Sequence, residues 1–248
     1  MNRFLQILHE ALNDPSDRIV LNADESQWRV LMPPRRSIAI TGQDSVKINI
    51  NGDKKAGFTI LGTISSEGDR FPLVMLAKGF TTSCHKQLGN HPGFDYNVLH
   101  TPNGWVTEKV FIEYLQWIRS IVVQKKIYLV VDQFGAHFGP GSETNANSLN
   151  ITLIPVPKGA TAKYQPLDRG IFGIMKMKGT EKWTKINHQN PDMKWDKATA
   201  ARIALESWEG ITKQHILNAW ELDKDVELSD NQMSDSDSDF IPEIRNEK

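Results

Sequence analysis

Short apolar runs alternate with polar connections along the chain, and their lengths and spacing predict most of the secondary structure. Runs rich in β-branched residues and bounded by turn residues are typical of buried strands, whereas apolar residues at helical spacing are typical of helices. The predicted strands cover residues 18–23 (RIVLNA), 56–64 (AGFTILGTI), 71–77 (FPLVMLA), 127–131 (IYLVV) and 151–156 (ITLIPV). The predicted helices lie near the amino terminus and over residues 107–124, 167–178, 197–209 and 212–219.

The order of these elements predicts a mixed α/β fold. The second and third strands are joined by SSEGDR, a Gly-containing hairpin loop, so with the first strand they can form an antiparallel meander. The continuously apolar IYLVV is typical of a central parallel strand, and helical segments separate the later strands as crossovers. We therefore expect a five-stranded mixed sheet flanked by helices, with three antiparallel strands first and parallel strands after them.

Charge is distributed unevenly over the 248 residues. Residues 223–248 contain nine acidic and three basic side chains, a net charge of −6, so the remainder carries +5 against −1 for the whole chain. The tail segment SDNQMSDSDSDF has too few apolar groups to offset the entropy lost on ordering. We expect a single core over residues 1–222, followed by an acidic, Ser- and Asp-rich disordered tail.

Several functional classes are disfavoured by composition. No apolar stretch reaches 18 residues, so we expect no membrane partner. Cys84 is the single cysteine, which excludes an internal disulfide and a cysteine-based zinc site. No glycine-rich loop follows the first strand, so a dinucleotide-binding enzyme is poorly supported and we expect no small-molecule organic cofactor. The mildly basic core is compatible with a polyanion partner and equally with ordinary surface charge.

Three aspartates occupy positions where strands end or helices begin. Asp24 follows the first predicted strand in LNADES, Asp132 follows the fourth in LVVDQFGAH, and Asp168 begins a helix in YQPLDRG. Because ligands of α/β sheets bind beyond the strand ends, the three carboxylates can meet at one edge. Such a cluster repels itself unless a cation is present, and Mg²⁺ or Mn²⁺ prefers oxygen ligands. Taken singly, each aspartate is more often a turn former or a helix N-cap.

Five segments occur in a fixed order along the chain: LNADES before Trp28, AGFTILGTISSEGDRFPLVMLAKG, GWVTEKVFIEYLQW, LVVDQFGAH, and ITLIPVPKGATAKYQPLDRGIFGIMK. In this order they resemble the DDE superfamily endonuclease domain of pogo, Tigger and jerky transposases and their centromere protein B relatives. The resemblance covers about residues 19–178, and the 35 residues between Asp132 and Asp168 are typical of the group. One departure is Gln133, where the family more often has Asn.

The resemblance implies an RNase H-like catalytic core that cleaves and transfers DNA strands in the nucleus. In that core Asp24, Asp132 and Asp168 would be the catalytic residues and would ligate two Mg²⁺ or Mn²⁺ ions. Three further residues match the family pattern and are expected to support the site: Glu25, His137 and Gln165. The histidine would orient a scissile phosphate or hydrogen-bond an aspartate, or else be satisfied by backbone groups; the glutamine would shape its loop or touch the DNA backbone.

Other interpretations stay open. Family transposases carry two helix-turn-helix modules before the core, which we do not expect here because only 23 residues precede Asp24. A non-catalytic nuclear DNA-binding or interaction protein is therefore an alternative, as is a metal-dependent nuclease or phosphatase of another RNase H-like group. Whether the protein dimerises on DNA is undecided. Three tryptophans, Trp105, Trp117 and Trp208, are expected in the core, with base stacking as the minor alternative.

Overall fold

The computed structural model describes residues 2–34 and 55–221, which form six strands and surrounding helices. The proposed acidic tail lies outside the described residues. The strands are β1 (Arg18–Arg29), β2 (Gly57–Ser65), β3 (Leu73–Lys78), β4 (Tyr96–Thr101), β5 (Lys126–Asp132) and β6 (Ile151–Val156). The α-helices are α1 (Asn2–Asn13), α2 (Glu108–Ile121), α3 (Pro140–Ser148), α4 (Thr161–Tyr164), α5 (Phe172–Gln189), α6 (Lys197–Glu209) and α7 (Lys213–Trp220). A 3₁₀ helix spans Thr82–Leu88, and a π-helical turn, Leu167–Ile171, leads directly into α5.

The strands form one mixed sheet in the order β4-β3-β2-β1-β5-β6. Strands β1, β2 and β3 pair antiparallel, whereas β5 pairs parallel with both β1 and β6. The predicted mixed α/β architecture is confirmed, and the structure adds β4 as a sixth strand parallel to β3. Five of the six β4 residues are only half-buried, so the strand lacks the apolar run from which the other strands could be predicted.

Strand β1 extends further than its apolar pattern predicted. It continues past Asp24 to Arg29 because the antiparallel ladder with β2 runs on to the pair Arg29↔Gly57. Backbone hydrogen bonds in that ladder do not depend on the polar side chains that end the apolar run. The prediction that Asp24 ends the strand was therefore wrong: this aspartate lies within β1, opposite Gly62 of β2.

The sheet opens beside Asp24. The parallel ladder between β1 and β5 runs from Arg18↔Lys126 to Asn22↔Val130. Beyond that pair, β1 stays with β2, whereas β5 stays with β6 as far as Asp132. We call this opening between β1 after Asn22 and β5 after Val130 the sheet split. It places Asp24 and Asp132 on its two sides, each two residues beyond the last pair of the ladder.

Helices cover both faces of the sheet. Apolar side chains of α2 pack on one face against Leu21, Ala23 and Leu129. The π-helical turn, α5 and α6 pack on the other face, where Trp28 and Trp208 are buried. Trp117 is half-buried against the α2 cluster. The prediction for Trp105 was wrong, since its side chain is 63% exposed in the polar loop before α2.

Helix α2 illustrates how local sequence fixes an element boundary. The prediction of Thr107 as N-cap is confirmed, because its side chain accepts a hydrogen bond from the Val110 N–H.

At the chain positions the structure describes, no helix is at once long enough and apolar enough to cross a bilayer.

Candidate active site at the sheet split

Asp24 and Asp168 are joined directly. Asp24 lies on β1 with only 8% of its surface exposed, and its Oδ1 accepts a 2.8 Å hydrogen bond from the Glu25 N–H. Its carboxyl group donates a hydrogen bond to the Asp168 carboxylate. Burial raises the pKa of Asp24 to about 9, and the charges of Asp168 and Glu25 add to this effect. Two carboxyl groups this close cannot both be ionised unless a cation compensates them.

Asp168 connects the pair to the third aspartate. It is the second residue of the π-helical turn, and the residue as a whole is exposed. Partial desolvation of its carboxyl group raises its pKa, the hydrogen bond from Asp24 and the charge of Lys176 lower it, and the charge of Asp132 raises it. Asp168 therefore contacts Asp24 directly and interacts electrostatically with Asp132. Among the described residues, the ligand atoms that lie within 4.8 Å of one another belong instead to Glu25, Asp132 and His137.

Asp132 ends β5 and is held by a histidine. The Nδ1 of His137 lies 2.8 Å from Asp132 Oδ1, and the Phe134 N–H donates to the same oxygen at 3.3 Å. The hydrogen bond from His137 lowers the pKa of Asp132, although burial opposes it. Asp132 is thus ionised and oriented before any ligand arrives.

His137 bridges two carboxylates. Its Nε2 lies 3.1 Å from Glu25 Oε1, on the opposite side of the ring from Asp132. Burial lowers the pKa of this histidine, but the hydrogen bonds to Asp132 and Glu25 outweigh burial and raise the pKa to about 10. The ring therefore donates from both nitrogens as an imidazolium. Of the three alternatives predicted for His137, the geometry contains hydrogen bonding to an aspartate, and Nδ1 also lies 3.3 Å from the backbone carbonyl oxygen of Asp132.

Glu25 also belongs to a second, overlapping group of side chains, in which His137 could bind a metal only after losing a ring proton. One ligand atom each from Glu25, Asp132 and His137 lies within 4.8 Å of the others. Because side chains alternate along a strand, Glu25 projects to the α2 side of the sheet, whereas Asp24 projects to the α5 side. The two sets therefore share Asp132 and approach the sheet split from opposite faces.

Gln165 is fully buried two residues before Leu167. Its backbone carbonyl accepts hydrogen bonds from the N–H groups of Asp168 and Arg169, so this residue shapes the start of the π-helical turn. Both polar atoms of its side chain are buried and have no partner among the described residues. A buried carboxamide without hydrogen-bond partners is energetically costly.

Three residues near the aspartates were missed by sequence reasoning. Gly62 lies opposite Asp24, and a Cβ there would come within 3.1 Å of Phe172 and Trp208. Lys176 interacts electrostatically with Asp168. Asn22 is a polar residue inside an otherwise apolar run and is fully buried. Only the asparagine had a sequence signal, since a polar residue within a buried strand needs a hydrogen-bond partner.

Comparison with known families decides the relationship of the chain. Residues 55–220 match the family model described as DDE superfamily endonuclease. The chain belongs to this family. The matched range contains Asp132 and Asp168 of the DDE endonuclease domain, and Asp24 lies before it.

Two curated relatives agree with the family assignment. CENP-B homolog protein 2 of Schizosaccharomyces pombe is 24% identical over 213 residues, covering 80% of this chain and 39% of the relative. The human Pogo transposable element with KRAB domain is 24% identical over 155 residues, covering 61% of this chain and 25% of the relative. The DDE endonuclease chain thus spans less than half the length of either relative.

Solved structures show the same fold. The Mos1 transposase catalytic domain, determined with raltegravir and Mg, is similar with a TM-score of 0.52 at 12% identity over 94% of both chains. The corresponding structure with Mn gives a TM-score of 0.51 at 11% identity. The DDE endonuclease chain therefore has the RNase H-like fold of a transposase catalytic domain.

Proposed function

We propose that this protein is a metal-dependent, transposase-derived endonuclease that cleaves and transfers DNA strands. Asp24, Asp132 and Asp168 are its catalytic residues and bind Mg²⁺ or Mn²⁺, as two ions. The observation that carries this proposal is the hydrogen bond between the buried Asp24 and Asp168. The negative charge of Asp132 also acts on Asp168. Carboxylates placed around the opening of a sheet offer the oxygen ligands that hard cations prefer.

The donor set fits such cations. All three proposed ligands offer carboxylate oxygens, which Mg²⁺ and Mn²⁺ prefer over nitrogen and sulfur. In the metal-free protein, the proton shared by Asp24 and Asp168 reduces the repulsion between the two carboxylates. A bound cation would replace this proton as the compensating positive charge. Cation binding should therefore release the proton from Asp24, whose pKa is about 9 when only the proton compensates the pair.

The side chains around the aspartates have separate tasks in this proposal. Bound ions would activate a water or a 3′-hydroxyl and stabilise the leaving oxygen of a phosphodiester. His137 fixes the orientation of Asp132 through its 2.8 Å contact, and Glu25 fixes the histidine ring from the other side. Gln165 holds the start of the turn that carries Asp168, because its backbone carbonyl accepts two hydrogen bonds from that turn.

The proposed substrate is DNA, and the proposed location is the nucleus. Membership of the DDE endonuclease family supports DNA, as does the net charge of +5 over residues 1–222, which favours a polyanion. Lys176 lowers the pKa of Asp168 electrostatically and so adds positive potential beside this aspartate. A fluorescent fusion protein that stays outside the nucleus would contradict the proposed location and would not bear on the proposed DNA cleavage.

A second candidate is a non-catalytic DNA-binding or interaction protein derived from a transposase. The specific observation in its favour is His137, because its imidazolium already pairs with both Glu25 and Asp132 in the absence of a metal and offsets part of their negative charge. An acidic site with its own internal cation can persist as a stable part of the fold without turning over substrate.

Substitution of Asp132 separates the two candidates. Incubation of the protein with supercoiled DNA and Mn²⁺ should produce nicked circles, and Asp132→Asn should abolish nicking because a neutral amide is a poor ligand for hard cations. Asp192→Asn, a change at an exposed aspartate between α5 and α6, is the matched control and should nick like the wild type.

Each result of this assay discriminates. Absence of nicking by the wild-type protein contradicts the enzyme and leaves the binding protein. Nicking that persists in Asp132→Asn contradicts the assignment of the site. Nicking without joining of a 3′-hydroxyl end to target DNA indicates a nuclease of another RNase H-like group.

A further inference from the structure

Asn22 occupies the point where the sheet split begins. It is fully buried, and its pair with Val130 is the last of the β1–β5 ladder. Asn22 and Asp24 are two residues apart on the same strand, so both side chains project to the face on which the π-helical turn packs. A carboxamide at full burial needs partners for both its donor and its acceptor.

The oxygen of the Asn22 side chain serves the π-helical turn. Oδ1 accepts a 2.9 Å hydrogen bond from the N–H of Leu167, the first residue of the turn. N–H groups in the first turn of a helix have no acceptor within the helix and must find one elsewhere. The next two N–H groups, of Asp168 and Arg169, bond to the Gln165 carbonyl. Asn22 therefore completes the hydrogen bonding at the start of the turn.

The nitrogen of the same side chain serves the neighbouring strand. Nδ2 donates a 3.0 Å hydrogen bond to the carbonyl oxygen of Val130 on β5. Beyond this contact β1 and β5 separate. The Asn22 side chain therefore adds one hydrogen bond between the two strands at the end of their backbone ladder. One carboxamide thus links β1, β5 and the π-helical turn.

Each of the three linked segments carries one of the aspartates. Asp24 is two residues after Asn22, Asp132 is two residues after Val130, and Asp168 follows Leu167 directly. The chain distance from each hydrogen-bonded group to its aspartate is therefore one or two residues. If any of these three hydrogen-bonded groups moves, the aspartate one or two residues away should move with it.

We propose that Asn22 is the positioning residue of the acidic site, setting the mutual placement of the three aspartates and hence the affinity for divalent cations. This inference rests on the proposed function. The carboxamide is required because it offers a donor and an acceptor at once. Aspartate in its ionised form would turn an oxygen toward the Val130 carbonyl, and leucine would leave the Leu167 N–H and the Val130 carbonyl buried without partners.

The test compares Asn22→Ala with Thr63→Val. Thr63 is also fully buried, and its hydroxyl pairs with that of Tyr114 at 2.8 Å on the α2 face, so its loss removes a comparable buried hydrogen bond. Mn²⁺ affinity is measured by electron paramagnetic resonance at a temperature where both variants are folded. We expect Asn22→Ala to weaken Mn²⁺ binding at least about tenfold, equivalent to roughly 1.4 kcal/mol, and Thr63→Val to leave it within about twofold.

Amide hydrogen exchange tests the same link without metal. The Leu167 N–H should be protected in the wild-type protein, because Asn22 supplies its acceptor. Its exchange should accelerate in Asn22→Ala and not in Thr63→Val. If the alanine variant does not fold, Asn22→Asp replaces it: the acceptor for Leu167 is retained, so its N–H should stay protected while the link to Val130 is lost.

The outcomes distinguish this inference from the proposed function. Unchanged Mn²⁺ affinity in a folded Asn22→Ala variant overturns the positioning role. An unprotected Leu167 N–H in the wild type overturns it as well, whatever the variants do. Failure of the wild-type protein to bind Mn²⁺ refutes the proposed metal site and with it the effect of Asn22 on cation affinity, whereas exchange at Leu167 still tests the hydrogen bond between Asn22 and the turn.

Discussion

At the scale of single residues, the charge states of the candidate site follow from burial and contact. Asp24 and Asp132 have the same ordinary pKa, but burial beside Asp168 raises that of the first, whereas the hydrogen bond from His137 lowers that of the second. In the metal-free protein Asp24 is therefore protonated at neutral pH, whereas Asp132 is ionised. Only contacts between distant chain segments could produce this difference.

Asp24→Asn should stabilise the metal-free protein at alkaline pH. The folded-state pKa of about 9 exceeds the ordinary value of 3.8, so between these values the folded state holds a proton that the unfolded state has lost. Stability from this group is therefore full below pH 3.8 and is lost as the pH rises through 9. Asparagine does not titrate, so the variant does not lose stability in this way. The contribution of His137 to the pH dependence of stability is the same in both proteins.

Thermal melts in EDTA measure this effect. The variant should melt more than about 2 °C above the wild type at pH 8, given roughly 2–4 °C per kcal/mol for a domain of this size, and the difference should shrink toward pH 4. An equal or lower melting temperature for Asp24→Asn at pH 8 would show that Asp24 is not protonated in the folded state.

At the scale of elements, the contact between β2 and the π-helical turn is close enough to test. A Cβ on Gly62 would lie 3.1 Å from Phe172 and Trp208 and 3.4 Å from Leu167, all of which are buried. Gly62→Ala should therefore destabilise the protein by about 1–3 kcal/mol through overpacking. Displacement of Leu167 should also weaken Mn²⁺ binding by moving Asp168.

Gly173→Ala is the matched control for this change. Gly173 lies in α5, and a Cβ there meets no atom within 4 Å. Alanine in a helix interior is favoured over glycine by roughly 0.5–1 kcal/mol, so this variant should melt higher and bind Mn²⁺ normally. Urea unfolding measures both stabilities, and a neutral Gly62→Ala would contradict the close packing between β2 and the turn.

At the scale of the whole molecule, the proposed boundary at residue 222 separates a packed core from an acidic tail. The last described helix, α7, ends at Trp220, whose half-buried side chain packs against two of the core clusters. Truncation after Leu222 should leave the melting temperature within about 1 °C of the full chain, because surface changes away from packed groups have small effects.

The same truncation should alter nucleic-acid binding. It removes a net charge of −6 and leaves a chain of +5, so DNA affinity at low salt should rise, and the gain should vanish as salt increases. Fluorescence anisotropy with a labelled duplex measures this dependence. A large loss of thermal stability would show instead that residues beyond 222 belong to the core.

The sequence alone determined the class of fold and supplied the candidate acidic residues, which remain a prediction. Apolar runs of strand length and helical spacing report burial directly, and Asp132 is the last residue of its strand as its position after IYLVV indicated. The N-cap at Thr107 was equally local. Strand β4 could not be predicted, because its residues are only half-buried and leave no apolar run.

The tertiary structure alone decided how the site is assembled. The extension of β1 past Asp24 follows from pairing with β2, and the sheet split follows from where β5 leaves β1. The bridging of Glu25 and Asp132 by His137, and of three segments by Asn22, joins residues more than one hundred positions apart. Periodicity reports which side a residue faces, whereas hydrogen-bond partners and pKa values depend on what the folded chain places opposite it.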